Sequence, residues 1–175
     1  MINTEELLYV VDEFDVPQKP MPRKHVFKNR LWRRTAHVWV INSKKQILVQ
    51  KRSLLKDFRP GSWEPSVAGH IGPDDNYFSG AARELFEETG ISVAPSDLNL
   101  VKIYKDQNLR EYRGIFYYKW DGEIQEIKSE EAEVDQVKFI SISTLKKYLL
   151  YDKSGKWFNS GYEKEMITLL KGLAN

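Results

Sequence analysis

The stretch AARELFEETG, residues 81–90, decides how the fold of this chain is interpreted. It predicts the end of a helix, because a glycine such as Gly90 readily adopts the left-handed conformation that stops one. On that helix Glu84, Glu87 and Glu88 lie at i, i+3 and i+4 and therefore share one face. Three carboxylates on one face repel one another, and acids late in a helix oppose its dipole. The stretch raises the question of what compensates for this charge.

The rest of this helix is predicted to begin near Asn76 and to bury one side. The apolar stripe that we expect to pack on a sheet consists of Phe78, Ala82, Leu85 and Thr89. Arg83 lies one turn before Glu87 and is expected to hold it by an ion pair. The carboxylates are then either a solvated face or ligands for a hard divalent cation such as Mg²⁺, which prefers oxygen donors. The spacing alone leaves both interpretations open.

The composition is that of a globular protein without cysteine chemistry. Of its 175 residues, 41% are hydrophobic and 30% are charged, and the net charge of +2 is too small to indicate a nucleic-acid or membrane partner. The absence of cysteine excludes disulfides, thiolate metal sites and cysteine nucleophiles. No apolar run approaches the ~20 residues that span a bilayer, and the start carries acids where a secretory signal needs basic residues. We therefore expect a cytoplasmic protein without a membrane segment.

The order of predicted elements indicates one α+β domain over residues 1–175. An N-terminal arm, residues 1–30, is expected to be rich in strands and to contain a proline-rich loop or edge segment at residues 16–22. A second loop is predicted at residues 53–66, and two short C-terminal helices within residues 143–175. The predicted strands cover residues 6–14, 33–42, 46–52, 67–71, 99–106, 113–122 and 137–142.

The residues before the helix carry a resemblance to a known family. The segment AGHIGPDDNYFSGAARELFEETGI, residues 68–91, resembles the Nudix box, in which a glycine, a glutamate and an Arg-Glu-aliphatic-any-Glu-Glu-any-Gly-aliphatic run follow at fixed spacing. Eight of the nine defined positions over residues 69–91 agree, and they are Gly69, Arg83, Glu84, Leu85, Glu87, Glu88, Gly90 and Ile91. The departure is Asp75, which is one methylene shorter than the expected glutamate. We expect it to weaken the support of the site rather than to abolish the site.

A longer stretch narrows the resemblance to one branch of that family. Residues 31–70, from LWRRTAHVWV to PSVAGH, are similar to the branch that contains isopentenyl-diphosphate isomerases and their hydrolase relatives. The similarity implies the Nudix fold, a mixed β-sheet sandwiched between α-helices. The isomerases use a cysteine immediately before the Gly-His pair, where this chain has Ala68, and they hold a metal with several histidines. Because alanine cannot transfer a proton, isomerase activity is rejected and hydrolysis is retained.

Within the resemblance, each box residue has an expected role. Glu87 and Glu88 would be the main ligands of Mg²⁺, for which Mn²⁺ is an expected substitute, and a backbone carbonyl near Gly69 would be another ligand. Glu84 would bind a further metal ion or position the attacking water, and Arg83 would orient the glutamates. The implied reaction is hydrolysis of a diphosphate linkage in a nucleoside di- or triphosphate or another nucleoside diphosphate derivative.

Residues outside the box are expected to contact the small-molecule nucleotide substrate. The candidates for substrate binding are Lys51, Arg52, Arg59, Trp63 and His70. The candidates for the general base are Glu84 and two residues of the acidic loop before the last strand, Glu130 and Glu131. The competing interpretation is that this loop is only a solvated acidic segment. Tyr112 and Phe116 are expected to line the pocket. Because family members often form dimers, a homodimer is a candidate assembly.

A binding module of a different class competes with the hydrolase. Basic and aromatic residues interleave in RKHVFKNRLWRR, residues 23–34, a pattern that would suit the phosphates and bases of RNA. The competing interpretation is a solvated strand face with the aromatic side chains packed inward. The complete set of Arg83, Glu84, Glu87 and Glu88 favours the enzyme, because a binder has little need for three acids. Nucleic acid is therefore not the expected partner.

Overall fold

Runs of strands separated by single helices, with two helices at the end, give the chain an order that fits the α+β class. The computed structural model describes residues 6–56, 58–65, 67–129, 132–151, 153–157 and 161–173. In these ranges the strands are β1 (Leu7–Leu8), β2 (Val10–Val11), β3 (Met21–Pro22), β4 (Trp32–Ile41), β5 (Gln46–Arg52), β6 (Trp63–Pro65), β7 (Val67–His70), β8 (Asn99–Asp106), β9 (Glu111–Lys119) and β10 (Val134–Ser141). The helices are α1 (Arg23–Lys28), α2 (Tyr77–Thr89), α3 (Ile142–Tyr151) and α4 (Glu163–Leu173). Within the described ranges, none of them is long and apolar enough to cross a membrane.

The chain divides into two compact units. The first unit comprises Met1–Val38 and Val67–Tyr117, and the second comprises Trp39–Ser66 and Tyr118–Asn175. The division falls within β4 and again within β9. The expected single domain over residues 1–175 stays a prediction.

The first unit is built on paired strands that carry the Nudix-like loop and helix. β7 pairs antiparallel with β4, which places Ala36 opposite Gly69 and Thr35 opposite His70. β2 pairs with the start of β4, β9 lies beside β4 in the same sheet, and β8 pairs antiparallel with β9. β1 and β3 form a separate two-stranded sheet within the N-terminal arm. Because α2 packs against β7, the acids of the helix come close to the backbone of that strand.

The predicted apolar stripe fastens α2 to the first unit. Ala82, Leu85 and Thr89 are buried, and Leu85 is fully inaccessible to solvent. Burial of a leucine side chain stabilises a fold by roughly 2 kcal/mol. Phe78 is half-buried and packs edge-on against Phe116, with 5.2 Å between the ring centroids. The stripe thus sets the rotation of the helix and hence the direction of its carboxylates.

The second unit is a smaller antiparallel arrangement around β5. β10 pairs with β5 along its length, and β6 pairs with its end, so that Lys51 lies opposite Trp63. The pair Ile41 and Ile47 closes the predicted hairpin between β4 and β5. α3 packs against α4 and against β10 and β5.

The longer elements have the bounds that the sequence predicts. β5 and β8 agree with their predicted ranges residue for residue. β4 lies one residue earlier than predicted at both ends, and β7 and α2 differ by one residue at one end. β9 and β10 begin two and three residues earlier than predicted, respectively. These elements are long enough for periodicity and turn residues to define them without tertiary information.

Three local predictions are wrong. The continuous strand expected at residues 6–14 is two strands of two residues each, whereas the loop or edge segment expected at residues 16–22 does contain a short strand, β3. The loop expected at residues 53–66 contains β6, which pairs with β5. The start of the basic stretch, interpreted as a strand face, is the helix α1, preceded by Pro22 with φ −56°. These short elements are set by the partners that they meet rather than by local propensity.

Asn76 begins α2 through a reciprocal cap. Its Oδ1 accepts hydrogen bonds from the backbone N–H of Phe78 at 2.8 Å and of Ser79 at 3.0 Å. The Ser79 hydroxyl oxygen accepts from the N–H of Asn76 at 2.9 Å, so donors at the helix start are satisfied from both sides. At the other end Gly90 has φ 73°, and its N–H donates to the carbonyl of Phe86 at 2.7 Å.

We expect Asn76→Ala to lower the free energy of unfolding by about 1 kcal/mol, because two backbone N–H groups lose their side-chain acceptor. Urea denaturation followed by circular dichroism measures the change. Asn99→Ala is the matched control, because Asn99 is exposed and caps no helix. Equal stability of Asn76→Ala and the unmodified protein would contradict this role of the cap.

Candidate active site

The Arg83 guanidinium holds the acidic groups of the loop and helix together. Its Nε donates to Asp75 Oδ2 at 2.9 Å, and its Nη1 donates to Glu84 Oε1 and Glu87 Oε2, both at 2.9 Å. Its Nη2 donates to the backbone carbonyl of His70 at 2.8 Å. Asp75 thus reaches Arg83 despite its shorter side chain. One cation joins the loop, the end of β7 and two helix carboxylates.

The three carboxylates of α2 differ in their exposure to solvent. Glu84 and Glu88 are buried, with 8% and 6% of their surface exposed, whereas the side chain of Glu87 is 52% exposed. A solvated acidic face would leave all three in water, so that interpretation fails for Glu84 and Glu88. Charged groups are rarely buried without a partner or a function.

Burial also changes the protonation of Glu84. Desolvation raises the pKa of its carboxyl group to about 7, although the Arg83 cation lowers it, and the negative charge of Glu87 contributes to the rise. In the metal-free protein near neutral pH, this carboxyl group is therefore divided between its protonated and ionised forms. A cation beside it would favour the ionised form.

Gly69 makes room for the carboxyl group of Glu84. A Cβ atom at position 69 would overlap the carboxyl carbon and both carboxyl oxygens of Glu84. The strand around Gly69 is fixed by its pairing with β4, where Ala36 lies opposite. Any side chain at this position would therefore displace the carboxyl group.

The residues at this place fit a hard divalent cation by their chemistry. Glu84, Glu87 and Glu88 offer carboxylate oxygens from one helix, and a buried carboxyl group with a raised pKa is one that a cation keeps ionised. Within the described part of the chain, no three His, Asp or Glu side chains already converge on one point. The arrangement shown is instead that of Glu84 and Glu87 paired with Arg83.

The His70 side chain is surrounded by arginines. Its Nδ1 lies 3.0 Å from Arg23 Nη1, and its Nε2 lies 3.3 Å from the Nε of Arg33. The ring of Phe27 meets the imidazole edge-on, with 5.7 Å between the centroids. The predicted substrate contact thus lies in cationic surroundings, one residue from Gly69.

Behind His70, buried charged side chains form a network on β4 and β9. Arg33 Nη2 lies 2.5 Å from Glu111 Oε1, Arg113 Nε donates to Glu111 Oε2 at 2.9 Å, and Arg113 Nη2 lies 2.8 Å from Asp106 Oδ2. Arg113 is only 1% exposed, and burial lowers the pKa of Arg33. The sequence analysis missed this network. Its signal was the pair of charges at Glu111 and Arg113 directly before the apolar and aromatic run at residues 114–118.

Three basic candidates for substrate binding belong to the second unit. Lys51 Nζ lies 2.7 Å from Asp135 Oδ2, and Arg52 Nη1 lies 3.0 Å from Glu64 Oε1. Arg59 lies in the following loop with a left-handed φ of 51°. Lys51 and Arg52 already have anionic partners in their own unit, and the role of all three in substrate binding stays a prediction.

Trp63, the aromatic candidate, belongs to a stack of rings in the second unit. Its ring lies parallel to that of Trp157 at 5.7 Å between centroids, and Trp157 stacks on Tyr148 at 4.7 Å. The Nζ of Lys138 lies 4.0 Å from the centroid of Trp63. Trp63 is thus a packed ring with a cation over it, and its contact with a nucleotide stays a prediction.

The remaining candidates are core residues or lie outside the described part of the chain. Tyr112 is 8% exposed and packs on Trp32, and Phe116 is fully buried, so both contribute to packing. Glu130 and Glu131 lie outside the described residues. Their assignment as a general base stays a prediction.

Three of the four arginines in the basic stretch at residues 23–34 pair with acids. Arg23, Arg33 and Arg34 pair with Glu6, Glu111 and Asp15 respectively, at 3.0, 2.5 and 2.7 Å. The exposed Arg30 donates to the carbonyl of Asn108 at 3.3 Å. Because a surface for RNA phosphates offers its cations to the ligand, these three ion pairs do not favour an RNA-binding face.

Comparisons with known proteins agree with the resemblance carried by residues 68–91. A family model described as the NUDIX domain matches residues 31–160. An uncharacterized Nudix hydrolase of Clostridium acetobutylicum is 34% identical over 154 residues, which cover 83% of this chain and 74% of that protein. The isopentenyl-diphosphate Delta-isomerase of Pectobacterium atrosepticum is 25% identical over 152 residues, or 85% of each chain.

A solved structure extends the agreement to the fold. DR0079 from Deinococcus radiodurans matches with a TM-score of 0.72 over 94% of this chain and 99% of its own, at 18% identity. The predicted fold, with its mixed sheet and helices, is thereby confirmed, as is the resemblance to the branch that includes isomerases.

We expect Glu84→Gln to stabilise the metal-free protein above neutral pH. The carboxyl group ionises near its ordinary pKa of 4.5 in the unfolded chain but only at about 7 in the folded protein. Ionisation therefore opposes folding increasingly between these two values, and the full effect is present above the folded pKa. The gain in free energy of unfolding should reach at most about 3 kcal/mol at high pH and vanish below the unfolded pKa.

Urea denaturation in the presence of a chelator, at several pH values across this window, measures the gain. Glu87→Gln removes the same charge from an exposed position and serves as the control. A stability difference for Glu84→Gln that did not vary with pH would contradict the burial of an ionisable Glu84.

Proposed function

The chain belongs to the Nudix hydrolase family, and we propose that it catalyses Mg²⁺-dependent hydrolysis of a diphosphate linkage in a nucleoside diphosphate derivative. As a member of that family it is a pyrophosphohydrolase, an enzyme that acts on phosphoric anhydrides. The observation that supports the proposal is the Arg83 cluster, in which two helix carboxylates and the end of β7 meet one guanidinium. A helix selected for stability alone would carry basic residues in its last turn instead.

The residues that would hold the ion are Glu84, Glu87 and Glu88, together with the carbonyl of Gly69. Mg²⁺, or Mn²⁺ in its place, would supply Lewis-acid chemistry there, because a divalent cation would make water more acidic and neutralise charge on the diphosphate. Attack of water on phosphorus requires positioning and charge stabilisation more than covalent chemistry. No serine, histidine or cysteine nucleophile is therefore needed.

The side chains of this site are held in place before a substrate arrives. Arg83 fixes Glu84 and Glu87 by ion pairs, and its bond to the His70 carbonyl keeps the helix against β7. Glu84, enclosed by Arg83 and Gly69, is the carboxylate that we assign to positioning the attacking water. Such prearrangement favours catalysis, because the groups do not have to reorganise during the reaction.

We propose a small nucleotide as the substrate and His70 as one of its contacts. Lys51, Arg52, Arg59 and Trp63 stay candidates for binding the substrate. Isomerases are among the relatives. The resemblance implies a cysteine immediately before the Gly-His pair of an isomerase, and this chain has Ala68 there. Alanine has no proton to transfer, which supports hydrolysis rather than isomerisation.

We expect the purified protein to cleave at least one member of a panel of nucleoside phosphates, dinucleotides and nucleotide sugars when Mg²⁺ is present. Glu87→Gln/Glu88→Gln should reduce kcat by about 10³-fold or more, because it removes two proposed metal ligands. Phosphate and diphosphate release measures the reaction. The control Asp97→Asn removes an exposed carboxylate outside the site. Cleavage that persisted in the double variant or without divalent metal would contradict the proposal.

We expect Gly69→Ala to reduce kcat by about 10²-fold, because displacement of a positioned group by roughly 1 Å has effects of this size. The new methyl group would collide with the Glu84 carboxyl group. Gly72→Ala, in the loop that follows β7, is the matched control, since a Cβ there meets only Asp75, at an ordinary 3.5 Å. Equal activity of the two variants, with equal melting temperatures, would show that Glu84 does not need its place beside Gly69.

A further inference from the structure

The N-terminal arm is hydrogen-bonded to the start of the loop that links β7 to α2, residues 71–76. The N–H of Tyr9 donates to the carbonyl of Ile71 at 3.0 Å, and the N–H of Ile71 donates to the carbonyl of Arg34 on β4 at 3.0 Å. The N–H of Arg34 in turn donates to the carbonyl of Tyr9 at 3.3 Å. The first residue of the loop is therefore fixed by both the arm and β4.

A second contact of the arm lies at the other end of this loop. Tyr77 is the first residue of α2, and its hydroxyl donates to Asp15 Oδ2 at 3.2 Å. Burial raises the pKa of the Tyr77 hydroxyl, and the charge of Asp15 raises it further, so the hydroxyl keeps its proton and stays a donor. Tyr9 and Asp15, two residues of the same arm, thus hold the two ends of the loop.

Arg34 joins the two contacts. Its guanidinium carbon lies 4.7 Å from the ring centroid of Tyr9 and 5.0 Å from that of Tyr77. Its Nε donates to Asp15 Oδ1 and its Nη2 donates to the Asp15 carbonyl, both at 2.7 Å. The side chains of Arg34 and Asp15 are only 14% and 19% exposed. Because a planar guanidinium with two charge-assisted bonds fixes its partner, Asp15 is held where it accepts from Tyr77.

The turn that presents Asp15 is closed by its own hydrogen bonds. Asp12 Oδ1 accepts from the N–H of Phe14 at 2.8 Å and of Val16 at 3.0 Å. The N–H of Asp12 donates to the carbonyl of Val16 at 2.9 Å. Asp15 has a left-handed φ of 65°, which aspartate and asparagine adopt more readily than most residues. The arm therefore offers a preformed acceptor to the start of α2.

The loop passes its position on to the acidic groups of the candidate site. The N–H of Asp75 donates to the carbonyl of Gly72 at 3.1 Å. A Cβ at Gly80 would lie 3.1 Å from Ile71 Cγ1 and 3.6 Å from Asp75 Cβ, so the loop lies directly against α2. Asp75 Oδ2 accepts from Arg83, which also holds two helix carboxylates. A shift of the loop would therefore move one of the groups that fix the Arg83 guanidinium.

We propose that Asp15, through Arg34 and Tyr77, is a positioning residue for the metal-binding carboxylates of α2. This role rests on the proposed metal-dependent hydrolysis and adds to it a residue of the N-terminal arm. While both ends of the loop are held, Asp75 keeps its bond to Arg83, and Arg83 keeps the carboxylates in one arrangement. When the contact at Tyr77 is lost, the loop is less restrained, so the site binds a divalent cation more weakly although its ligands are unchanged.

Binding of Mn²⁺ to the substrate-free protein measures this effect apart from catalysis. Asp15→Asn weakens the bond to Arg34 and tolerates the left-handed backbone, and Tyr77→Phe removes a single hydroxyl. Each should raise the Kd for Mn²⁺ about fivefold, because each loses one hydrogen bond that restrains the loop. A titration followed by electron paramagnetic resonance measures Kd. The effects of the two substitutions should be less than additive in the double variant, because both act on one contact.

Two controls separate positioning from charge and from stability. Glu13→Gln removes the same charge from an exposed neighbour in the same turn. Ile142→Val removes a buried methylene of α3, in the second unit, and lowers stability without a change at the arm. Neither should alter the Kd for Mn²⁺. An unchanged Kd in Tyr77→Phe, or an equal rise in Ile142→Val, would overturn the proposal. If Asp15→Asn does not fold, Tyr77→Phe decides alone.

Steady-state kinetics supplies a second readout and separates this proposal from the proposed function. The Mg²⁺ concentration for half-maximal activity should rise by the same factor as Kd, whereas kcat at saturating Mg²⁺ should change less than about twofold. If the unmodified protein cleaves no nucleotide but the Kd values differ as expected, the proposed reaction fails and the positioning role stands. If nucleotides are cleaved but the Kd values are equal, the positioning role fails and the hydrolase stands. If the unmodified protein binds no Mn²⁺, the metal site is refuted, and the positioning role with it.

Discussion

The arrangement of the site depends on the ion pairs of Arg83. Three carboxylates late in one helix repel each other and oppose the helix dipole, so α2 by itself carries an electrostatic penalty. The Arg83 guanidinium group offsets this penalty, because its donors lie in one plane and reach several acceptors. These acceptors are Asp75, Glu84, Glu87 and the carbonyl of His70. Because the last of these acceptors belongs to β7, the contacts that balance charge also hold the helix against the sheet.

The close fit between β7 and α2 places a second constraint on the same groups. Glu84 is buried where only a glycine leaves room for its carboxyl group, so charge and shape at this point cannot be altered independently. Burial disfavours the ionised form of Glu84, and Arg83 opposes that effect only in part. A carboxyl group held in this condition suits a site that receives a cation and a diphosphate, since the positive ion restores its charge.

Contacts between charged groups extend from the arm, through His70, to the interior of the first unit. Arg23 and Arg33 meet on the His70 ring, and Arg33 continues through Glu111 to Arg113. Buried ion pairs of this kind add little net stability, because desolvation offsets their attraction. Their effect is geometric, because they fix the side chain of His70, whose backbone carbonyl accepts a hydrogen bond from Arg83. The arm is in this way part of the site's framework.

The sequence by itself determined the longer strands, the bounds of α2, the family and the positions of the acids in the box. Periodicity, a glycine stop and fixed spacing are local properties, so they can be read without a partner. Tertiary structure alone decided that Glu84 and Glu88 are buried, that His70 lies between arginines, that the strand at residues 6–14 is divided in two, and that β6 exists. Strands of two or three residues form only against a neighbour, and burial and ion pairing depend on which distant side chains meet. No local sequence pattern specifies these tertiary contacts, so only the folded structure shows them.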